Sequence, residues 1–506
     1  MATSVHETER KYEAPAGSDL PPLDGFPGVA AEAGPERIEL EAVYYDTADL
    51  QLARGGVTLR RRTGGDDAGW HLKLPVGEDT REEVRLPLGR ARKPPKELAN
   101  LVQVHARGAE LKPVARIRTA RQRWQLVDEH GDLLVEVVED LVSAQVLEGA
   151  ADDPSTADSW REIEVELGER GDRELLDVVE RRLYTAGIRR STSSAKLTRL
   201  LSDRLAPAPR GPRTGRKATT GDVVLAYLNE HAAALKKQDP AVRRDEHDAV
   251  HQMRVSTRRL RSALQAYGKI VDREHTRELA NELKWLAGVL GEARDLEVLR
   301  KRFTDAVDRL DTDLVLGPVA ARLTRHFAPL EQAARQTGTA ALNSGRYFAL
   351  LDSIDGLLAA PPLTPAAAEP AKKALPRLVD KSYRRLADRA REVLGAPAGP
   401  KRDVALHEAR KAAKRLRYTT EAAEGAFGKR AKAYRKRVKG VQTLLGEHQD
   451  GVVARPALRE LAVQAQLDGE NGFTFGLLHG LESGIATQVE ERFPAVWRKV
   501  GKPGLS

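Results

Sequence analysis

Near its start the chain reads HETERKY, in which Glu7, Glu9 and Lys11 alternate with other residues. On an extended strand, side chains two apart share a face, so two carboxylates stand about 7 Å apart beside one ammonium. That trio can hold a divalent cation against phosphate oxygens. Later segments repeat the alternation with other charges. Arg60 and Arg62 share a face, as do His71 and Lys73, Arg81, Glu83 and Arg85, and Arg121 and Arg123. Glu136 falls in line with Asp140, and Glu162 with Glu164 and Glu166.

The opposite faces of these segments are apolar, with Leu59, Leu72, Leu74, Val84, Leu86, Trp124, Val135, Val137, Ile163, Val165 and Leu167. An open antiparallel sheet with one wet face is the ordinary reading of any one such strand. It explains poorly why charges of one sign cluster within a strand, as in EIEVE and RRR. Same-sign neighbours repel unless something bridges them. A sheet closed around its charged face would gather carboxylates for a metal and Arg/Lys for phosphate. Magnesium takes a few carboxylates plus substrate phosphates, and arginine forks match phosphate oxygens.

With these residues in view, the first 205 residues resemble the CYTH superfamily, the triphosphate tunnel metalloenzymes. The resemblance rests on the Glu7/Glu9/Lys11 signature and on YYDT (44–47), LRRR (59–62), GWHLK (69–73), RQRW (121–124), EVEL (164–167) and SAKL (194–197). It implies an eight-stranded antiparallel barrel whose interior binds a triphosphate and a divalent metal, Mg²⁺ or Mn²⁺. By motif, Glu7, Glu9, Glu164 and Glu166 would be metal ligands, with Asp140 nearby, and Glu162 offers an alternative partner for Glu164. Lys11, Arg60, Arg62, Lys73, Arg121, Arg123 and Lys196 would hold phosphates. Lys11 with Tyr44 resembles a dyad that activates water in some members, with Tyr45 as the alternative to Tyr44; on the strand at 81–85, Glu82 is the alternative to Glu83 for the charged face.

A second constellation lies downstream. HQMRVSTRRLR begins at His251 and HEARKAAKRLR at His407. LKWLAGVLGEARD (283–295) follows the first, and VKGVQTLLGEHQD (438–450) the second. From His to the glycine of the Leu-Gly pair is 40 residues in one copy and 39 in the other, which marks a duplicated unit. In a helix the His and its +3, +7 and +10 positions fall within about 80° of one another. Each copy therefore presents a narrow stripe: His251, Arg254, Arg258 and Arg261, then His407, Arg410, Lys414 and Arg417. Lys284 and Lys439 hold equivalent places in the later blocks and could extend it.

A solvated face is the ordinary reading of one Arg-rich helix. Here none of the stripe positions is acidic, and the stripe is reproduced. Close-set cations repel unless an anion neutralises them, and a polyphosphate or nucleic-acid backbone is the natural counter-ion. Aromatics make up only 5% of the chain, which argues against single-stranded nucleic acid and its stacked bases. These paired blocks, over roughly residues 220–505, resemble the CHAD domain, an all-helical duplicated fold implicated in binding inorganic polyphosphate. The resemblance implies that these eight residues line a basic polyphosphate-binding surface, and the sequence leaves open whether the two stripes converge on one groove.

The elements that must position these groups divide the chain in two. Residues 1–205 carry 30 Lys+Arg against 38 Asp+Glu, whereas the remaining 301 carry 53 against 36. Period-two runs at 57–62, 70–74, 83–88, 121–127, 133–141 and 163–167 predict strands, and residues 174–186 a helix. A Pro/Gly-rich linker is expected at 206–221, followed by a helical unit at 222–506. A proline-rich break near 356–376 splits that unit into repeats at about 222–355 and 377–506. The fold class expected is thus a β-barrel plus an all-α duplicated helical bundle.

The 506 residues include no cysteine, which excludes disulfides, thiol nucleophiles and Cys-ligated metal sites. No apolar run approaches a membrane span, and the first residues are charged where a secretory peptide would be apolar. The cytoplasm, with association to polyphosphate granules, is the expected location. The expected activity is metal-dependent hydrolysis of a phosphoanhydride, with a polyphosphate-binding module attached. A class IV type adenylyl cyclase, a thiamine triphosphate hydrolase and a non-catalytic polyphosphate-binding protein stand as alternatives. Oligomeric state is left open.

Overall fold

The computed structural model describes residues 3–15, 17–77, 79–147, 157–205 and 217–505. The chain forms two compact units, Met1–Ala208 and Pro209–Ser506. Most of the linker expected at 206–221 lies outside the described residues.

The first unit is a closed barrel. Its strands are β1 (Thr3–Glu13), β2 (Ala31–Asp46), β3 (Thr58–Thr63), β4 (Gly69–Pro75), β5 (Thr80–Pro87), β6 (Lys112–Val127), β7 (Leu133–Val146) and β8 (Ala157–Leu167). All pairings are antiparallel in the order β5-β4-β3-β2-β6-β7-β8-β1, and a β1–β5 pairing closes the ring. A two-residue strand, β9 (Arg189–Arg190), adds to β1. Closure turns the alternation inside out: the charged face is the lumen, and the apolar face needs covering from outside. The N-terminal part of β2 is exposed, acidic and interrupted by Gly34 and Pro35. The period-two pattern gives no strand there.

Short helices supply the cover. These are α1 (Gln51–Arg54), α2 (Lys96–Leu101), α3 (Gln103–Ala106), α4 (Arg173–Thr185) and α5 (Lys196–Leu200). Asp172 caps α4 by accepting from Leu175 N at 2.8 Å. The α4 face of Leu175, Leu176, Val179 and Leu183 packs on Val135, Val137, Ile163 and Val165. Leu52, Leu98 and Leu101 pack on Leu59, Trp70, Leu72 and Val84. Truncating one such buried leucine to alanine costs about 2–5 kcal/mol. Leu197 and Leu201 sit among Ala42, Tyr44, Ala115, Val142 and Trp160, which seats α5 and its leading Lys196 against the barrel residues.

The second unit is all helical: α6 (Thr220–Arg243), α7 (Ala249–Ala266), α8 (Arg273–Val307), α9 (Val319–Leu342), α10 (Gly345–Ala359), α11 (Ala371–Gly395), α12 (Pro400–Ala422), α13 (Glu424–Phe427), α14 (Lys429–Leu467) and α15 (Phe473–Arg498). Thr219 starts α6 with a capping box: its hydroxyl accepts from Asp222 N at 3.1 Å, and Asp222 accepts from Thr219 N at 2.9 Å. The proline-rich break is shorter than the composition suggests. Helix α10 runs to Ala359, and α11 already holds Pro376 inside it. Consecutive helices α6–α9 pack pairwise, and α11, α12, α14 and α15 repeat the arrangement. No helix among the described residues is long and apolar enough to cross a membrane.

Candidate functional site: a charged lumen and a basic helical face

Register decides which lumen groups meet. Glu166 on β8 stands opposite Glu9 on β1 and opposite Glu136 on β7, so three carboxylates lie in one row. One step along, Lys11 faces Glu164, and one further, Asp140 lies between Arg121 and Glu162. Across the barrel a second row runs Tyr44, Arg60, His71 and Arg85 on β2 to β5. The lumen holds a cavity of about 320 Å³ lined by Glu7, Glu9, Lys11, Tyr44, Arg60, Arg62, Lys73, Arg121, Arg123, Glu164, Glu166 and Lys196, all expected from sequence.

The expected metal ligands divide into two groups. Asp140, Glu162 and Glu164 surround the Lys196 ammonium, each 2.8 Å from Nζ. Arg121 adds a two-pronged contact to Asp140 (2.8 Å twice) and one to Glu164 (3.1 Å), and Lys11 also pairs with Glu164. Burial opposes the Lys196 charge, yet these carboxylates hold it well above the ordinary lysine range. Burial likewise opposes Glu164's charge, and Lys11, Lys196 and Arg121 outweigh it. This group is already neutralised by protein cations.

Glu7 and Glu9 are partly neutralised, and among the described residues Glu166 has no cation within 4.0 Å. Lys73 lies 2.5 Å from Glu7 and 3.9 Å from Glu9, Arg85 donates to Glu7 at 2.6 Å, and Lys11 and Arg81 stand 3.6 and 3.8 Å from Glu9. Burial first, then Glu7, Glu9 and Glu136 against the pull of Lys73, push the Glu166 carboxyl up to about 8. Glu7 is also raised, chiefly by burial. Burial opposes Glu9's charge too, but Lys11 and Lys73 hold it below the usual carboxylate range. An oxygen-donor set with this surplus of repelling negative charge fits a hard divalent cation. Glu7, Glu9 and Glu166 could hold one, and so could Asp140, Glu162 and Glu164, whose donor atoms lie within 4.8 Å of one another.

Tyr44 faces the lumen, whereas Tyr45 turns outward onto Trp70, with ring centres 5.2 Å apart. Arg60 Nη1 donates to the Tyr44 hydroxyl at 3.3 Å. Burial disfavours the Tyr44 phenolate, but Arg60, Lys196 and Lys11 outweigh it and pull the phenol below its usual range. Asp46 and Thr47 of the YYDT motif do local work: Asp46 accepts from Leu52 N and Ala53 N at 2.9 Å each and so anchors α1 beside Tyr44. Arg123 reaches outward to Glu36 (2.5 Å) and Asp66 (3.3 Å), and Arg62 pairs with Asp67.

Glu83, not Glu82, lies in the lumen, held by Arg85 and by His71 Nδ1 at 3.0 Å. Burial brings His71 down to about 4. Arg81, Glu83, Arg85 and Glu136 line the cavity although the sequence reading gave them no role. The alternation that selected their neighbours contained them as well. Ile38 and Leu40 also line it, from the strand that the pattern missed.

In the helical unit the two stripes come together. Helices α7 and α12 pack on each other, tied by Arg259–Glu421 at 2.7 Å and by Tyr267 donating to Thr419 O at 2.7 Å. Lys414 falls to about 8 because of burial and of Arg410, Arg258, Arg254 and Arg417 around it. Arg258 is lowered by burial and by Arg254, Arg417 and Arg410, with Tyr418 opposing. Among the described residues no carboxylate lies within 4.0 Å of Arg258, Arg261, Arg410, Lys414 or Arg417, and the Nε atoms of those four arginines are buried without a hydrogen-bond partner.

The repeated Leu-Gly-x-x-x-Asp block serves this face. Arg254 lies against Gly291, where a Cβ would sit 3.1 Å from its Nη2, and donates to Asp295 at 2.7 Å. Burial of His251, with Arg294, Arg258 and Arg254 near it, lowers its pKa against the pull of Asp248. His407 Nδ1 lies 2.5 Å from Gln449 Oε1. Lys284 and Lys439 are exposed, each seven residues before the glycine of its block, and no hydrogen bond or salt bridge among the described residues joins them to the cluster.

Comparison with known proteins decides the family. The CYTH domain model matches residues 6–200 and the CHAD domain model residues 226–459. The chain is a CYTH–CHAD protein. Uncharacterised Mycobacterium tuberculosis proteins from strains CDC 1551 / Oshkosh and ATCC 25618 / H37Rv are similar to it along almost their whole length. Each is 40% identical over 509 residues, covering 98% of this CYTH–CHAD chain and 96% of its own. Among solved structures, PptA from Streptomyces chartreusis is 23% identical with a TM-score of 0.47, covering 56% of this chain and all of its own. The CHAD domain from the plant Ricinus communis is 25% identical with a TM-score of 0.46, covering 58% of this chain and 96% of its own.

Proposed function

We propose that the barrel hydrolyses a phosphoanhydride bond of inorganic triphosphate with Mg²⁺ or Mn²⁺, and that the helical unit binds longer polyphosphate. The observation that carries this reading is the opposed row Glu9–Glu166–Glu136, set in one closed lumen with Lys and Arg from most of the other strands. A divalent ion at Glu7, Glu9 and Glu166 would neutralise phosphoryl oxygens and orient the attacking water. Lys73, Arg60, Arg62 and Arg121 face the remaining phosphate charge, and charge stabilisation of this kind is most of phosphoryl-transfer catalysis.

Tyr44, its phenolate favoured by Arg60, Lys196 and Lys11, takes the proton from water. The water oxygen bonds to the terminal phosphorus as the bridging P–O bond breaks, and pyrophosphate leaves with the electron pair. Lys196 offsets the charge of Asp140, Glu162 and Glu164 beside the cations that face the substrate. The α7/α12 face, with its unpaired guanidiniums, gathers polyphosphate and raises the local concentration of chain ends.

Phosphate release from tripolyphosphate with Mg²⁺ or Mn²⁺, against a chelator control, tests the reading. One phosphate per tripolyphosphate, with pyrophosphate left over, is the expected result. Cyclic AMP formed from ATP by a protein inert towards tripolyphosphate would overturn it.

A further inference from the structure

The second helical copy holds a group that the first lacks. Aligned on the repeated Leu-Gly pair, His448 stands where the first copy has Ala293. The exchange puts an imidazole, only 2% exposed, where α14 meets α12 and α15. A buried ring nitrogen needs a partner. His448 Nε2 is buried without a hydrogen bond of full geometry, and its near neighbour is Asp403 Oδ1 at 3.1 Å. Glu490 of α15 completes the set: one donor atom from each of Asp403, His448 and Glu490 lies within 4.8 Å of the other two.

We propose that Asp403, His448 and Glu490 form a site for one divalent transition ion of the Zn²⁺ type, pinning the start of α12 to α14 and α15. A tetrahedral ion with bonds of about 2.0–2.2 Å sets its ligand atoms roughly 3.3–3.5 Å apart. The 3.1 Å approach of Asp403 to His448 is close to that spacing, and a separation of up to 4.8 Å closes with small side-chain rotations. One imidazole nitrogen among carboxylate oxygens suits Zn²⁺ or Mn²⁺, whereas Ca²⁺ and Mg²⁺ prefer oxygen alone.

The surroundings agree with this assignment. Arg402 Nη1 donates to Glu490 at 2.9 Å, an outer hydrogen bond that orients a ligating carboxylate. Asp403 lies one turn before His407 on the helix that carries Arg410, Lys414 and Arg417. An ion there fixes the end of one basic stripe, and the site stands whether or not the barrel is an enzyme.

Full-length protein carrying Glu7→Ala/Glu9→Ala in the barrel, stripped with a chelator and dialysed against Zn²⁺, tests the proposal by metal content. His448→Gln and Asp403→Asn should each lose one equivalent per chain. Co²⁺ loading should give a visible d–d spectrum in the parent that both variants lack. Should His448→Gln fail to fold, Asp403→Asn, at a half-buried surface position, decides alone. Unchanged stoichiometry and an unchanged Co²⁺ spectrum in Asp403→Asn would overturn the site.

Discussion

Glu9 and Glu166 stand directly opposite each other on neighbouring strands of the barrel, and no lysine or arginine is opposite either of them in that row. Two buried carboxylates in that relationship repel, and the fold keeps them together at a cost in stability. That cost is the structural reason to assign a cation there. The neighbouring Asp140/Glu162/Glu164 group, although equally acidic, has spent its charge on Lys196 and Arg121.

Glu166→Gln should therefore stabilise the metal-free protein while abolishing its metal-stimulated turnover. A carboxyl whose folded pKa is about 8, against an ordinary 4.5, costs the fold stability increasingly as pH rises from about 4.5 to 8. The gain from Gln should be absent at pH 4 and reach roughly 1–3 kcal/mol at pH 8. Thermal melts of both proteins across that range in chelator check the sign. A destabilised Gln variant at pH 8 would contradict it.

Removing Lys196 should do the reverse. Lys196→Met removes the cation on buried Glu162 and leaves Asp140, which is fully buried, and Glu164 to Arg121 and Lys11. Leaving buried charge uncompensated costs about 3–5 kcal/mol. Urea denaturation should show a loss of that size, and a loss under about 1 kcal/mol would mean that the ammonium is not what neutralises the group.

Tyr44→Phe keeps the ring packed among Ala42, Ala115 and Leu197 but removes the hydroxyl that accepts from Arg60. With the phenol acting as proton acceptor, kcat should fall about 10²–10⁴-fold with little change in KM. A change in KM alone would reduce Tyr44 to a binding role.

On the helical face, Lys414 at about 8 gives a pH signature. Its charge is depressed by neighbouring cations, so a bound polyanion restores it and binding takes up a proton. Polyphosphate affinity should fall as pH rises above 8. Calorimetry at pH 8.5 in buffers of different ionisation enthalpy should register proton uptake that Lys414→Gln removes. The same variant should lower the salt-dependence slope by about one.

How much of this was legible in the sequence varied with the kind of fact. Which residues share a face follows from period two, so Glu7, Glu9, Arg60, Lys73 and Glu164 could be placed together before any fold was known. Which carboxylate faces which could not, because β1 pairs with β5 and β8 through a register that no local pattern encodes. That register, and α5 bringing Lys196 from 32 residues beyond Glu164, separates Asp140 and Glu164 from Glu7, Glu9 and Glu166. Likewise the helical period gives each basic stripe alone, whereas the packing of α7 on α12 joins them. His448 was invisible because it occupies a buried helical position that in the other copy is an ordinary alanine.

The most direct measurement is phosphate release from tripolyphosphate with Mg²⁺ or Mn²⁺ by the wild type and by Glu7→Ala/Glu9→Ala, both checked for folding by thermal melt. Wild-type turnover that collapses by 10³-fold or more in the double variant, about 4 kcal/mol of transition-state stabilisation, is the result predicted. Equal turnover in both proteins, or none in either with any divalent ion, would contradict the barrel's assignment as a metal-dependent triphosphatase.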